Sequence, residues 1–252
     1  YAATGLWTSL SGATMKIGFD KNPFSFLFTH KVKHQEMQEG LHEIQKNSAL
    51  AQVLDANIKL CKPKLYPSAT DFEKVKPLKE KPYICIAPAS VWFTKQFPIS
   101  QWVAFLNGLE FDGQVYIIGG PGDKTIGDAI INAISEHAPI KNKVVNLAGQ
   151  FHFLSSAALQ QNAQLNYVND SAPMHFASAM NAPVVAIYCS TIPDFGYGPL
   201  SDKSFIVQTD VPINCKPCGV HGKKACPLGH FDCAMQIKMQ QLYAPLLQMN
   251  QH

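Results

Sequence analysis

Arginine is absent: all 21 basic residues of this 252-residue chain are lysine. Sequence-specific base readout and bidentate phosphate clamps rest largely on the guanidinium fork. The absence excludes a nucleic-acid reader and leaves lysine, hydroxyl and backbone N–H groups to hold any phosphate. Charge of either sign is scarce, 15% against about 25% in an ordinary soluble domain. Long apolar runs are missing too. The longest, Ala182 to Cys189 interrupted by Pro183, falls far short of the roughly 20 residues that a membrane span requires. No basic-then-apolar leader opens the chain. It starts Tyr-Ala-Ala-Thr, with its first methionine at Met15, so further residues upstream of Tyr1 are expected.

What is present is apolar: 46% of residues, enough to bury a core and to exclude intrinsic disorder. Seven cysteines are an odd number, and four of them crowd into Cys215–Cys233. Cys85 and Cys189 sit in apolar runs as buried thiols do. This usage argues against a secreted disulfide framework and for a reducing compartment. Charge is uneven, +5 over residues 1–95 and −2 over 96–252, which is read as a solvated lysine surface or as one facing an anionic partner.

The spacing predicts a strand over Met15–Phe19 and a helix over Leu41–Leu60, within a first domain of residues 1–62. Residues 63–82, rich in proline and lysine, read as a linker. From Tyr83 a regular alternation begins. Strands are expected at Tyr83–Ala87, Val115–Ile118, Val144–Leu147, Tyr167–Val168, Val184–Tyr188 and Phe205–Val207. Helices are expected at Ile99–Leu109, from Asp123, at Phe153–Gln161 and at Ser171–Met180. Short continuous apolar runs separated by single helices specify a parallel sheet covered on both faces. The fold class is therefore α/β, with a doubly wound, Rossmann-like domain over residues 83–240 and a tail over 241–252.

In such a domain ligands bind beyond the carboxyl ends of the strands, and three unusual segments stand there. Asn169-Asp170-Ser171-Ala172-Pro173-Met174-His175 follows a strand and opens a helix. Its first-turn N–H groups and helix dipole would suit an anion, although spacing alone favours simple capping. Pro88-Ala89-Ser90 with Lys95 follows the first strand of the domain; Lys95 reads as a phosphate contact or as a snorkelling surface lysine. Gly119-Gly120-Pro121-Gly122-Asp123 also follows a strand, but it is not a GxGxxG fingerprint, and Asp123 reads as a ribose ligand or a helix cap.

Taken in order with Lys95-Gln96-Phe97-Pro98, with Asn146-Leu147-Ala148-Gly149 and with Pro183–Tyr188, these segments resemble glycosyltransferase family 9, the ADP-heptose:lipopolysaccharide heptosyltransferases. The likeness runs from about Lys16 to Met235. It includes Lys16–Phe19 and His42–Asn47, and its cysteine-containing end looks like the heptosyltransferase II branch. The resemblance implies a GT-B architecture of two Rossmann-like domains, the N-terminal one incomplete in this chain, with an ADP-sugar donor held by the C-terminal one. It implies that Asp170, Ser171, Ala172 and Met174 hold the pyrophosphate, with His175 beside them. Ser90 and Lys95 would contact the phosphates, and Lys95 would neutralise the leaving ADP. Asp123 would meet the ribose, Gly119 and Gly120 of its loop would belong to the donor site, and Leu147 would lie by the adenine. The implied reaction is inverting transfer of heptose to the lipopolysaccharide inner core, with no cofactor required. The implied place is the cytoplasm, with peripheral contact at the cytoplasmic face of the inner membrane. Two departures follow. Ala172 stands where the family has glycine, and the family's presumed aspartate base lies in a loop expected upstream of Tyr1; Asp20 does not match it.

Cys215, Cys218, Cys226 and Cys233 admit a second expectation, a structural zinc, since Cys215-x2-Cys218 has ligand spacing. The wider spacing of the other two departs from a ribbon-type site. Two alternative functions stay open: another GT-B nucleotide-sugar enzyme, such as a UDP-sugar transferase or epimerase, and a non-catalytic zinc-stabilised interaction module.

Overall fold

The computed structural model describes residues 2–35 and 40–249. The chain divides into two units, residues 1–62 with 194–198 and residues 63–193 with 199–252. Among the described residues, no helix is long and apolar enough to cross a membrane.

The smaller unit contains helix α1 (Ala2–Leu10), strand β1 (Ile17–Phe19), strand β2 (His30–Val32) and helix α2 (Glu43–Ala51). The two strands pair in parallel, Ile17 opposite His30 and Phe19 opposite Val32. β1 and α2 fall where the hydrophobic pattern puts them, but α2 stops well before Leu60. Asp55 Oδ1 accepts from the Asn57 N–H at 2.8 Å, closing a side-chain turn where the helix would have continued. At its other end His42 caps α2. Nδ1 accepts from the Ile44 N–H at 3.2 Å, while Gln45 Oε1 accepts from the His42 N–H at 2.7 Å.

The larger unit runs through α3 (Ala69–Val75), β3 (Tyr83–Ala87), α4 (Ile99–Asn107), β4 (Gln114–Ile117), α5 (Lys124–Ala133) and β5 (Val144–Asn146). It continues with α6 (Phe153–Gln161), β6 (Leu165–Asn169), α7 (Ala172–Ala179), β7 (Val184–Ile187), β8 (Ser204–Val207), α8 (Asp232–Met235) and α9 (Met239–Met249). Its six strands form one parallel sheet in the order β5-β4-β3-β6-β7-β8. Counted from β3 as the first strand, this is the doubly wound order 3-2-1-4-5-6, which reverses direction between β3 and β6. The register there sets Ile84 opposite Leu165 and Ala87 opposite Val168.

Strand alternation divides the core into two layers. Ile84, Ile86, Val115, Ile117 and Tyr167 face one side, where they meet Phe97, Trp102, Phe105 and Leu106. Tyr83, Cys85, Ala87, Tyr116 and Val168 face the other, with Met174, Ala177 and Leu159. Phe105 is the hub of the first layer. Its ring lies 4.9 Å from that of Tyr167, 5.4 Å from Tyr243 and 6.3 Å from Trp102, distances at which aromatic pairs attract beyond their area burial.

Two segments depart from the sequence expectation. Residues 63–82 are not an open linker: they carry α3, which packs on α6. Ser68 and Asp71 form a reciprocal cap that the proline and lysine content obscures. Asp71 also reaches outside its helix. Its Oδ2 accepts from the Ser68 N–H at 2.9 Å and the Ser68 hydroxyl at 2.6 Å. Its Oδ1 accepts from the Ser155 hydroxyl at 2.6 Å and from His152 Nε2 at 2.9 Å. Nor is the region from residue 241 a loose tail. Its described part continues α9, which buries Leu242 and Leu246 and receives the Tyr167 hydroxyl on the Leu242 carbonyl at 2.9 Å. Residues 250–252 of that expectation lie outside the described residues.

Phe105→Ala removes the shared ring of the first layer and is expected to cost about 3–5 kcal/mol, read as a lower urea midpoint at unchanged m-value. A second expectation concerns acid. Hydrogen bonds from Ser155 first, then Ser68, hold the Asp71 carboxyl at about 2, below its unfolded value of about 3.9. The stability this carboxylate adds is present above pH ~4 and disappears as the pH falls through about 2. Urea titrations of the wild type and Asp71→Asn should therefore differ most at pH 5 and converge towards pH 2. A gap that does not depend on pH would refute this assignment.

Candidate functional site

At the switch point the loop after β3 and the loop after β6 lie side by side, and Asn169 joins them. Its side chain is fully buried at the end of β6. Nδ2 donates to the Pro88 carbonyl at 2.7 Å, and Oδ1 accepts from the Phe97 N–H at 3.0 Å. Both ends of the 88–97 loop are thereby fixed to one amide. Between them Lys95 Nζ lies 2.7 Å from Asp170 Oδ2, with the lysine side chain 14% and the aspartate 8% exposed. The same carboxylate oxygen accepts from the Thr191 hydroxyl at 2.7 Å.

The loop holding Lys95 is braced from behind by the cysteine-containing segment. Thr94 exchanges two hydrogen bonds with Lys223, its N–H donating to the Lys223 carbonyl at 3.1 Å and its Oγ1 accepting from the Lys223 N–H at 2.8 Å. The Ser190 hydroxyl donates to the same Oγ1 at 3.0 Å. Phe93 and Phe231 add a ring contact at 5.3 Å.

Beyond the sheet lies a cavity of about 700 Å³, within the range of roughly 300–1,000 Å³ usual for small-molecule sites. Its wall comes from the ends of successive strands: Ala87 and Ala89 to Val91 at β3, Ile118 to Pro121 with Asp123 after β4, and Gly149 to Phe153 after β5. Ser156, Gln160, Ser171, Ala172, Pro173 and Phe176 complete it. Ser171 is the N-cap of α7, yet no side chain caps that helix; the Ser171 hydroxyl donates instead to the Asn169 carbonyl at 3.4 Å. The turn thus presents backbone N–H groups and the positive end of the helix dipole at the cavity wall. Gly149 has to be glycine. Its φ is +81°, and a Cβ there would come 2.9 Å from Pro121 Cα, so the β5 loop packs directly on the β4 loop.

Of the residues singled out in the sequence, Ser90, Gly119, Gly120, Asp123, Ser171 and Ala172 line the cavity together. Asp123 also closes its own loop, Oδ2 accepting from the Gly120 N–H at 2.7 Å. Lys95 and Asp170 are not wall residues; they form the ion pair next to Ser171. Leu147 and Met174 lie in the core layer beneath the wall, and the half-buried His175 follows in the first turn of α7. Thr191, Asn169, His152 and Asp71 shape the site without having been singled out. Asn169 was within view as the first residue of its motif, and Ser68-x-x-Asp71 is a legible capping pattern. Nothing in the sequence ties Asp71 to Ser155 or Thr191 to Asp170.

Among the described residues no group of three His, Cys, Asp or Glu side chains is arranged to hold a metal ion, and Cys215, Cys218, Cys226 and Cys233 are free thiols. Cys215 Sγ lies 3.9 Å from His230 Nε2. Burial is the main reason that the Cys218 thiol is raised above its ordinary pKa and that of Cys233 is pushed up to about 11.

Comparison with known proteins agrees with this geometry. The lipooligosaccharide heptosyltransferase 2 of Haemophilus influenzae is 32% identical over 133 residues, 52% of this chain and 38% of that protein. The lipopolysaccharide heptosyltransferase 2 of Escherichia coli K12 is 30% identical over 131 residues, 51% of this chain and 37% of that protein. These matches thus span little more than a third of the length of the curated relatives. Among solved structures, E. coli ADP-heptose lps heptosyltransferase II superposes with a TM-score of 0.71 at 21% identity, over 98% of this chain and 74% of that one. The glycosyl transferase family 9 structure from Veillonella parvula gives 0.75 at 16% identity, over 98% and 70%. These likenesses show an α/β fold of GT-B type. Residues 5–228 match glycosyltransferase family 9 (heptosyltransferase), and the chain belongs to that family.

Proposed function

We propose that this chain is the donor-binding half, with part of the acceptor half, of an inverting heptosyltransferase. In this reading it takes heptose from ADP-L-glycero-D-manno-heptose and passes it to a hydroxyl of the lipopolysaccharide inner core. The observation that carries the reading is the α7 N-terminus, without a side-chain cap, in the wall of a cavity at the β3/β6 switch point. A pyrophosphate suits that turn. An E. coli heptosyltransferase of the same fold, with a TM-score of 0.62, was solved with ADP.

In the reaction the acceptor oxygen attacks the anomeric carbon from the face opposite the ADP, the bond to the β-phosphate oxygen breaks, and the acceptor proton passes to a base. The residues of this chain act on the leaving group. Negative charge grows on the departing diphosphate, where Ser90, the first turn of α7 and Lys95 oppose it. Lysine has three N–H donors, and its pair with Asp170 uses one. Asp123 is assigned to the ribose, and the segment around Leu147 to the base. No cofactor enters the scheme. A cytoplasmic site of action, with the acceptor presented at the inner membrane, goes with it, and the seven free thiols fit a reducing compartment.

Calorimetric titration with ADP, UDP and GDP tests the reading. ADP should bind best, and Lys95→Met should weaken it by about tenfold or more, the scale of a lost hydrogen bond to a charged group. A preference for UDP would move the protein to another nucleotide-sugar chemistry, and no binding by a folded sample would remove the donor site.

A further inference from the structure

One stretch of the cavity wall offers rings rather than charges. The His152 side chain is 58% exposed and Phe153 is 72% exposed, and both line the cavity. Phe153 leans on Phe176 from α7, with ring centroids 5.5 Å apart. Aromatic surface left open inside a cavity is surface for a ligand to cover.

His152 shows which part of a ligand this is, because both of its ring nitrogens are taken. Nδ1 accepts from the Leu154 N–H at 3.3 Å, starting α6. In the neutral ring the proton therefore sits on Nε2, and it points at Asp71 Oδ1 at 2.9 Å, with Ser155 Oγ at 3.2 Å. Neither a phosphate nor a sugar hydroxyl finds a hydrogen-bonding atom here. The ring has only its faces and its C–H edge to offer, and these suit a flat heteroaromatic base. Asp71 holds the ring in place. It is buried, and each of its oxygens accepts two hydrogen bonds or an equivalent ion pair. The orientation of the His152 ring is thus fixed before any ligand arrives.

We propose that His152 and Phe153 form the nucleobase-stacking wall of the donor site, and that Asp71 is the positioning residue that sets the His152 ring. This rests on the reading of the cavity as a nucleotide site and identifies which side chains receive the base. It also gives the 63–82 segment a role, since α3 supplies the carboxylate.

The test compares ADP with ribose 5-diphosphate, which is ADP without its base, by calorimetry on the same chain. The wild type should prefer ADP. His152→Ala should weaken ADP by roughly tenfold while leaving ribose 5-diphosphate unchanged, so that the preference collapses. His152→Phe, which keeps a ring, should recover part of it. Asp71→Asn should lower the preference in the same direction, and adding it to His152→Ala should lower it no further. If His152→Ala weakens both ligands equally, the residue is only structural and the proposal fails. It fails too if neither changes. A wild type that binds neither ligand would overturn the nucleotide site itself, whereas a wild type that prefers ADP just as strongly after His152→Ala would overturn this inference alone.

Discussion

The site depends on a single buried amide. Asn169 closes β6 and holds both ends of the loop after β3, donating to Pro88 and accepting from Phe97. Without it two adjacent parallel strands would simply end in two independent loops. With it, the residue after Asn169, Asp170, faces Lys95 across a fixed gap, and Ser171 starts α7 beside them. A buried amide satisfied at both its oxygen and its nitrogen is costly to disturb, because a lost partner leaves a desolvated polar atom behind. The sheet supplies the position, and this amide supplies the register between the loops.

The surrounding elements brace that register from three directions. Thr191, after β7, fixes the carboxylate of Asp170. Thr94, Ser190 and Lys223 fix the backbone next to Lys95. Gly149 lets the β5 loop close against Pro121. The braces come from the loops after β3, β5 and β7 and from the cysteine-containing segment, and the strand loops can meet because all six carboxyl ends point the same way. The cysteine-containing segment is part of this bracing. It stabilises the lysine loop through its backbone and Phe231.

Much of this was legible in the sequence, for a physical reason. Buried parallel strands are short apolar runs, and helices between them show one apolar face, so β3 to β8 and α4 to α7 fell close to their expected limits. The strand ends then indicated which loops line the cavity. α3 and α9 were less legible. α3 lies among prolines and lysines, and its signal is a two-residue cap rather than a hydrophobic stripe; α9 contains Pro245, which argues against a helix interior. The pairings within the site were not legible at all. Asp71 and Ser155 are 84 residues apart, and Thr94 and Ser190 are 96; no spacing rule connects residues at such separations. Sequence reading also grouped Leu147 and Met174 with the ligand contacts, whereas their side chains face the core beneath the wall. A motif names a segment, and the helix or strand it lies on decides which side chains turn outward.

The absence of arginine bears on the chemistry at the α7 turn. A guanidinium facing Asp170 would form a two-pronged, planar pair that commits its donors to the carboxylate. The Lys95 ammonium instead meets Asp170 Oδ2 as a point charge on a flexible stem. Lys95 and Asp170 together are close to neutral, so an anion at the α7 turn is attracted mainly by backbone N–H groups. Such groups are fixed in place and lose no side-chain entropy on binding. Under the proposed function the fixed N–H dipoles and the Lys95 ammonium would both oppose a developing negative charge in proportion to its size. Only the part of that help that is larger in the transition state than in the bound donor would accelerate a transfer; the rest would merely tighten the complex.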